Sequence, residues 1–183
     1  MRDDSVAGVR SVQLALDVLE AVASAEEELG VTQLAARLNV TKGSVHRHLH
    51  TLVERGYLAQ NAATSRYLIG PRSRLLTRLA PDMDLVQLAE DPMRALRDGL
   101  GHTVVLSETT PRGALVVAKL TGTSPIEIGV RPGSELSFHA SAQGKIMLAF
   151  APRPFQERVL AQPLAAFTDR TVTAPARIEV ELV

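Results

Sequence analysis

The chain has 183 residues, 45% of them apolar, with 20 basic and 20 acidic side chains and no cysteine. This composition can fill the cores of one or two domains, and it excludes disulfides, a thiolate nucleophile and a zinc–thiolate site. Four Phe, two Tyr and no Trp argue against binding single strands or RNA by base stacking. Because no hydrophobic signal region and no bilayer-length apolar run is present, we expect a cytoplasmic protein with no membrane partner.

The charges are distributed unevenly along the chain. Between residues 30 and 80, eight Lys or Arg stand against one acid, Glu54, whereas residues 81–183 carry ten basic and twelve acidic residues. A basic module joined to a mildly acidic one is typical of a DNA-binding domain followed by a sensing or assembly domain. On charge alone, a solvated cationic face on an ordinary helical domain remains an alternative.

The first predicted element is a helix over Ser11–Ala23, and two short helices joined by a tight turn follow within Val31–Leu58. Asn39 tolerates the left-handed conformation that ends a helix, and Thr41 is a natural N-cap for the next one. Apolar residues recur at helical spacing in all three helices, and this predicts one common core. We expect that core to contain Leu34, Leu38, Val45, Leu49 and Leu52, with Val12, Ala15, Leu16, Leu19 and Ala23 forming the packed side of the first helix.

The third helix leaves a polar and cationic face outward, made of Lys42, Ser44, His46, Arg47 and His50. Two helices held across a short turn, with polar side chains outward near the start of the second, have the helix-turn-helix geometry for the DNA major groove. His46 and His50 are also spaced as metal ligands can be. Since only the Glu54 carboxylate is near them in sequence, DNA contact or solvation is the favoured interpretation.

Two short strands, Tyr57–Gln60 and Arg66–Ile69, follow the third helix, which ends at the C-cap glycine Gly56. A hairpin in this position is the wing of a winged helix-turn-helix, and Arg66 in it is a candidate phosphate contact. Pro71 can open a helix at its first turn, and we predict a linker helix over Ser73–Leu79 that Pro81 stops.

The second half of the chain predicts an α+β arrangement. A helix over Leu85–Leu100, interrupted by Pro92, precedes strands at Thr103–Ser107, Ala114–Leu120 and Ile126–Val130. Turn signals rich in Pro and Gly separate the strands. This order of a helix, three strands and a further helix predicts an antiparallel sheet with helices beside it.

Two sets of motifs carry a family resemblance. SVQLALDVLEAVAS, LAARLNVTKGSVHRHLHTLVERGYL and YLIGPR resemble the amino-terminal signature of the isocitrate lyase regulator (IclR) family of bacterial transcription factors. GVRPGSELSFHASAQGKIMLAF resembles the effector-domain signature of that family, in which an H-A-[ST]-x-x-G-K segment enters a helix. The resemblance implies a winged helix-turn-helix domain over residues 1–70, a linker helix over 71–80, and a GAF-like effector-binding and oligomerisation domain over 81–183. We expect that last domain to be incomplete, because the end of the family's effector domain has no counterpart here.

The resemblance implies a DNA-binding transcriptional regulator without a cofactor. Its expected partners are a double-stranded operator, an organic or aromatic acid as effector, and further copies of the chain in a homodimer or homotetramer. Carried over from the family's recognition helix and wing, the expected DNA contacts are Lys42, Ser44, His46, Arg47, Thr51 and Arg66. The expected effector contacts, with backbone N–H groups offered to a carboxylate at the helix start, are Ile128, Leu136, Ser141, Ala142, Gln143 and Gly144.

Other interpretations follow from single motifs. Gly144-Lys145 lacks the preceding Gly and the following Ser or Thr of a phosphate-binding loop, so nucleotide hydrolysis is disfavoured. His139 is expected to bond the backbone, because no Ser–acid arrangement surrounds it. Gly43 and His48 depart from the usual Ser and Leu of the family, so they remove a possible phosphate donor and place a polar group beside the apolar stripe. An interaction-only fragment without a working effector site, and an enzyme on a sensing-type fold, remain alternatives.

Overall fold

The structure is a computed structural model that describes residues 8–79, 85–124 and 129–182. The chain divides into two compact units, Met1–Asp82 and Met83–Val183. Within the described ranges, no helix is long and apolar enough to cross a membrane.

The first unit is a winged helix-turn-helix, as predicted. Thr41 caps the third helix, where its Oγ1 accepts a 3.3 Å hydrogen bond from the Ser44 amide. Asn39 and Gly56 end two helices with φ of 52° and 75°, a backbone region that favours Asn and Gly over other residues. The elements are α1 (Arg10–Ala23), α2 (Val31–Arg37), α3 (Lys42–Glu54), β1 (Leu58–Gln60), β2 (Tyr67–Ile69) and α4 (Pro71–Leu79).

The core of the first unit contains the predicted residues of α2 and α3 but a different side of α1. Leu34, Val45, Leu49 and Leu52 are buried and Leu38 is partly buried. In α1, however, Val18, Ala21 and Val22 are buried, whereas Val12 and Leu16 are 54% and 51% exposed and Ala23 is exposed. Leu19 is partly buried and packs on this core. The predicted face of α1 was therefore wrong: the helix has apolar residues on more than one side, and α3 and β2 select the side that packs.

The second unit is an antiparallel sheet with helices, again as predicted. In the sheet, the strand Ala114–Leu120 lies between Val104–Thr109 and Glu135–Leu136, with Val104 opposite Leu120 and a register shift at Leu106/Ser107. Residues 126–128 of the predicted strand Ile126–Val130 lie outside the described residues, and Gly129 and Val130 are not in a strand. The third described strand of this unit is Glu135–Leu136. The elements are α5 (Leu85–Leu100), β3 (Val104–Thr109), β4 (Ala114–Leu120), β5 (Glu135–Leu136), α6 (Ala142–Ala149), α7 (Arg153–Leu160) and α8 (Pro175–Glu181).

A small apolar core holds the start of α6. Phe138, in the turn before α6, is buried together with Leu148, Val159, Leu160 and Ile178 of α6, α7 and α8. The rings of Phe138 and Phe155 meet edge to face, with centroids 5.4 Å apart and planes at 89°. Burying these side chains anchors the turn that precedes α6 and so orients the amino terminus of that helix.

Candidate functional site

The outward face of α3 carries the predicted DNA contacts of the recognition helix. Lys42, His46 and Arg47 are exposed and Ser44 is half-buried. Val45, Leu49 and Leu52 lie on the opposite, buried side, so packing of that side fixes the direction of the polar face. Within the described part of the chain, Lys42 and Arg47 make no ion pair and no side-chain hydrogen bond. Their charges are therefore available to an external anion.

Other basic residues of the first unit serve the fold instead. Arg37 donates to the Ala21 carbonyl at 3.4 Å and to Ser24 Oγ at 3.1 Å, and this joins α2 to the end of α1. Arg74 donates to the Ile69 carbonyl at 2.8 Å, and the Arg72 guanidinium lies 5.9 Å from the centre of the Tyr57 ring. In residues 8–79 no Lys or Arg forms an ion pair with a carboxylate. The Lys and Arg side chains of residues 8–79 are thus free of direct ion pairs.

The wing is a two-stranded hairpin whose turn is closely organised. Leu58 lies opposite Ile69 and Gln60 opposite Tyr67. In the turn, Asn61 Oδ1 accepts the amides of Ala63 at 2.9 Å and Thr64 at 3.4 Å, and Ser65 adopts a φ of 57°.

The two predicted phosphate contacts are exposed, and both already make an internal hydrogen bond. Thr51 Oγ1 donates to the Arg47 carbonyl at 3.2 Å, which is one turn back on α3. Arg66 Nη1 donates to the Glu28 carbonyl at 3.2 Å. The sequence prediction does not include Glu28, because it is the last of three consecutive glutamates and nothing local distinguishes it from Glu26 and Glu27.

The predicted effector loop forms the capped start of α6. Ser141 Oγ accepts the Gly144 amide at 2.9 Å and donates to the Ser137 carbonyl at 2.8 Å. The Gly144 N–H is therefore already used within the helix cap. The amides of Ala142 and Gln143 donate to no other described residue, as expected for the first two positions of a helix. Leu136 is half-buried on β5, and Ile128 lies outside the described residues.

Gly144 is required by a close approach of α6 to the preceding turn. A Cβ at this position would lie 2.2 Å from the Ser137 carbonyl oxygen and 2.6 Å from the Phe138 Cα. The neighbouring Lys145 forms an ion pair with Glu181 at 2.5 Å and so ties α6 to α8. In this chain the Gly-Lys pair therefore has structural roles in packing and ion pairing.

His139 is a structural histidine, as predicted. It is buried, its Nε2 lies 2.9 Å from the Ala165 carbonyl oxygen, and its ring stacks on Phe167 at 6.0 Å. Among the described residues no group of three or more His, Asp or Glu has the proximity to hold a metal ion.

A cleft in the second unit lies away from the predicted effector loop. It has a volume of about 370 Å³ and is open to solvent. It adjoins the carboxyl end of α6, whereas the predicted effector contacts Ser141 to Gly144 are at the amino end. Its lining is mainly apolar and consists of Thr109, Met147, Phe150, Ala151, Pro152 and Phe155.

Two family models match the chain in succession. The IclR helix-turn-helix domain matches residues 11–62, and the bacterial transcriptional regulator IclR C-terminal domain matches residues 77–183. The second match alone covers more than half of the chain, and the first covers the helix-turn-helix and the start of the wing.

Individual relatives agree with these matches. The HTH-type transcriptional regulator BhcR of Paracoccus denitrificans is 31% identical over 178 residues, covering 96% of this chain and 63% of that protein. The glycerol operon regulatory protein of Streptomyces coelicolor is 29% identical over 174 residues, covering 93% of this chain and 67% of that protein. The chain thus spans about two thirds of the length of these two regulatory proteins.

Solved structures share the fold. An IclR homologue from Microbacterium hydrocarbonoxydans, crystallised with 4-hydroxybenzoate, matches with a TM-score of 0.72 at 22% identity, over 94% of this chain and 72% of that one. An IclR regulator from Alicyclobacillus acidocaldarius matches with a TM-score of 0.67 at 25% identity, over 96% of this chain and 72% of that one. From the two successive domain matches, the chain belongs to the IclR family of bacterial transcriptional regulators.

Proposed function

We propose that this chain is a sequence-specific DNA-binding transcriptional regulator controlled by a small organic or aromatic acid. In this proposal residues 1–70 bind DNA, residues 71–80 link the domains, and residues 81–183 bind the effector and assemble the oligomer. The observation that carries the DNA-binding part is the exposed face of α3, where Lys42 and Arg47 have no counter-charge within the described chain. Arg and Lys side chains bind DNA phosphates, which are anions, and the hydrogen-bond acceptors on the major-groove edge of guanine.

The proposed interface places α3 in the major groove and the wing on the backbone. Lys42, Ser44, His46 and Arg47 are its base-side residues, while Thr51 and Arg66 meet phosphates. A guanidinium has several N–H donors, so the internal bond of Arg66 leaves others for a phosphate. A homodimer or homotetramer would match two half-sites of a near-palindromic operator. Since the proposed partner is operator DNA, the proposed site of action is the cytoplasm.

The test is duplex binding by the full chain. A fluorescent duplex is first recovered from a random-sequence pool, and its affinity is then measured by anisotropy at several salt concentrations. Arg47→Ala should cost about 1–3 kcal/mol if Arg47 contacts a base bidentately, and Lys42→Ala should weaken binding and flatten the salt dependence. Arg170→Ala, which removes an exposed cation of the second unit, is the matched control. Wild-type affinity in both α3 variants would contradict the assignment.

The proposed effector site is the amino terminus of α6. A helix start favours an anion because its first N–H groups lack partners and the helix dipole is positive there. The amides of Ala142 and Gln143 are the donors we assign to the effector carboxylate, beside Ser141 and Gly144 of the cap. Leu136 and Ile128 are the proposed apolar walls. The fold relative crystallised with 4-hydroxybenzoate makes that acid a suitable first probe.

Ala142→Pro tests this site with little disturbance of the fold. Proline is tolerated at the first position of a helix, and the preceding Ser141 has the extended conformation that proline requires. The substitution removes one N–H, so it should abolish the binding of small carboxylates measured by calorimetry, whereas Ala142→Gly keeps the N–H and should retain binding. No heat from 4-hydroxybenzoate or from a panel of small carboxylates would contradict effector binding by this chain.

A DNA-binding chain without effector control is the second candidate. The observation that favours it is the bond between the Gly144 amide and Ser141 Oγ, which caps the helix without any ligand. This candidate predicts duplex binding that no carboxylate alters, so the same two experiments separate it from the first.

A further inference from the structure

The loop between α1 and α2 is bonded to the wing. Leu29 and Tyr67 exchange two backbone hydrogen bonds, 3.2 Å from the Leu29 amide and 2.9 Å from the Tyr67 amide. Glu28, one residue earlier, reaches the wing turn with its side chain. Its Oε1 accepts from Asn61 Nδ2 at 2.8 Å, and its Oε2 accepts from Thr64 Oγ1 at 2.7 Å. One carboxylate therefore holds two residues of the same turn.

Glu28 also contacts the cation that follows the turn. Its carbonyl oxygen accepts the Arg66 Nη1 bond, and the Arg66 amide donates to Thr64 Oγ1 at 3.3 Å. Asn61 and then Thr64, by hydrogen bonding, and Arg66 by its charge lower the pKa of the Glu28 carboxyl below its usual range. The acceptor is therefore ionised at neutral pH.

By simple electrostatics, a carboxylate beside a DNA-binding wing weakens binding, because it repels the phosphates. The contacts of Glu28 argue for an effect of the opposite sign. Ordering the wing turn and the Arg66 side chain in advance reduces the conformational entropy that would otherwise be lost on binding. The two effects have opposite signs, and an experiment can therefore separate them.

We infer that Glu28 is a positioning residue for the wing, holding residues 61–65 and the Arg66 guanidinium in the orientation that meets a DNA phosphate. This inference rests on the proposed DNA-binding function. Glu28 acts through Arg66 and does not itself touch DNA.

The test compares Glu28→Gln with Glu27→Gln in the full chain. Both substitutions remove one negative charge from the same loop, but Glu27 is exposed and has no side-chain partner within the described residues. Asn61 and Thr64 donate to different oxygens of the Glu28 carboxylate, and glutamine replaces one of these oxygens with an NH₂ donor, so one of the two bonds loses its acceptor. Thr64→Val removes one of the two bonds from the wing side and serves as the second variant.

Affinity is measured by anisotropy for a duplex that the wild-type chain selects from a random-sequence pool. We expect Glu28→Gln and Thr64→Val to bind about tenfold more weakly, with the slope of log affinity against log salt shallower by about one phosphate contact. Glu27→Gln should bind as tightly as wild type or slightly more tightly. In an Arg66→Ala background, Glu28→Gln should cause no further loss, which a merely structural role would not predict.

Three different results would overturn the inference. If the wild-type chain selects and binds a duplex but Glu28→Gln binds as tightly as Glu27→Gln, the positioning role is wrong and the proposed function stands. If the wild-type chain binds no duplex, the proposed function fails and the positioning role fails with it. A full further loss from Glu28→Gln in the Arg66→Ala background would also overturn the inference, because Glu28 would then act independently of Arg66.

Discussion

The two units of the chain differ in how their basic side chains are neutralised. In residues 8–79, no Lys or Arg forms an ion pair with a carboxylate, and Lys42 and Arg47 stay unpartnered on the exposed face of α3. In the second unit, ion pairs join Arg94 to Glu90, Arg112 to Glu135 and Lys145 to Glu181. The contrast teaches that basic side chains on the surface of the second unit form ion pairs within the fold, whereas Lys42 and Arg47 of the first unit keep their charges unpaired.

The aromatic residues allow the two units to be followed separately. Both tyrosines, Tyr57 and Tyr67, belong to the first unit, whereas all four phenylalanines belong to the second, and no Trp is present. Near-ultraviolet circular dichroism of the full chain therefore reports each unit by its own signal. The stability of each unit can therefore be followed in the intact chain.

The largest expected effect is on the stability of the first unit, where buried and exposed leucines can be compared. Leu49 is fully buried, so Leu49→Ala should destabilise the first unit by about 2–5 kcal/mol through lost burial and a residual cavity. Leu16→Ala is the matched control, and because Leu16 is exposed it should change stability by less than about 0.5 kcal/mol. Denaturant unfolding followed by the tyrosine signal measures both. Equal losses of unfolding free energy in the two variants would show that the face of α1 with Leu16 packs on the core, as periodicity alone predicted.

Gly144 provides a smaller effect in the second unit. The methyl group in Gly144→Ala would overlap the Ser137 carbonyl, so we expect a loss of about 1–3 kcal/mol in the unfolding free energy reported by the phenylalanine signal. Gly43→Ala is the control in the first unit, since nothing lies within 4 Å of the added Cβ and alanine favours a helix. It should be neutral or stabilising. A harmless Gly144→Ala would show that α6 can move away from the turn.

The smallest effect tests the charge comparison directly. Lys145 and Glu181 are a partly exposed pair, so a double-mutant cycle with alanine should give a coupling of about 0.2–1 kcal/mol that falls with added salt.

Lys42 is in the first turn of α3, where the helix dipole disfavours a cation, so Lys42→Ala should raise the stability of the first unit by about 0.3 kcal/mol while weakening duplex binding. Unfolding curves and anisotropy measure the two outcomes. A stability loss from Lys42→Ala would show that its charge serves the fold.

By itself, the sequence determined the elements of the first unit, the helix-turn-helix family and the structural role of His139. These signals are local: Asn39 and Gly56 suit positive φ, and Thr41 caps an amide three residues ahead. Two independent motifs in the right order then carried the family membership, which the domain matches confirm.

Only the tertiary structure decided which side of α1 packs and what Glu28 contacts. Because α1 has apolar residues on more than one side, its buried face depends on α3 and β2, which periodicity within α1 cannot report. Glu28 meets Asn61 and Thr64 across 33 and 36 residues of sequence, a contact that exists only once the wing has folded against the α1–α2 loop. The same holds for Gly144. Only glycine fits at this position, because the Ser137 carbonyl in the turn packed against α6 occupies the space that a side chain would need.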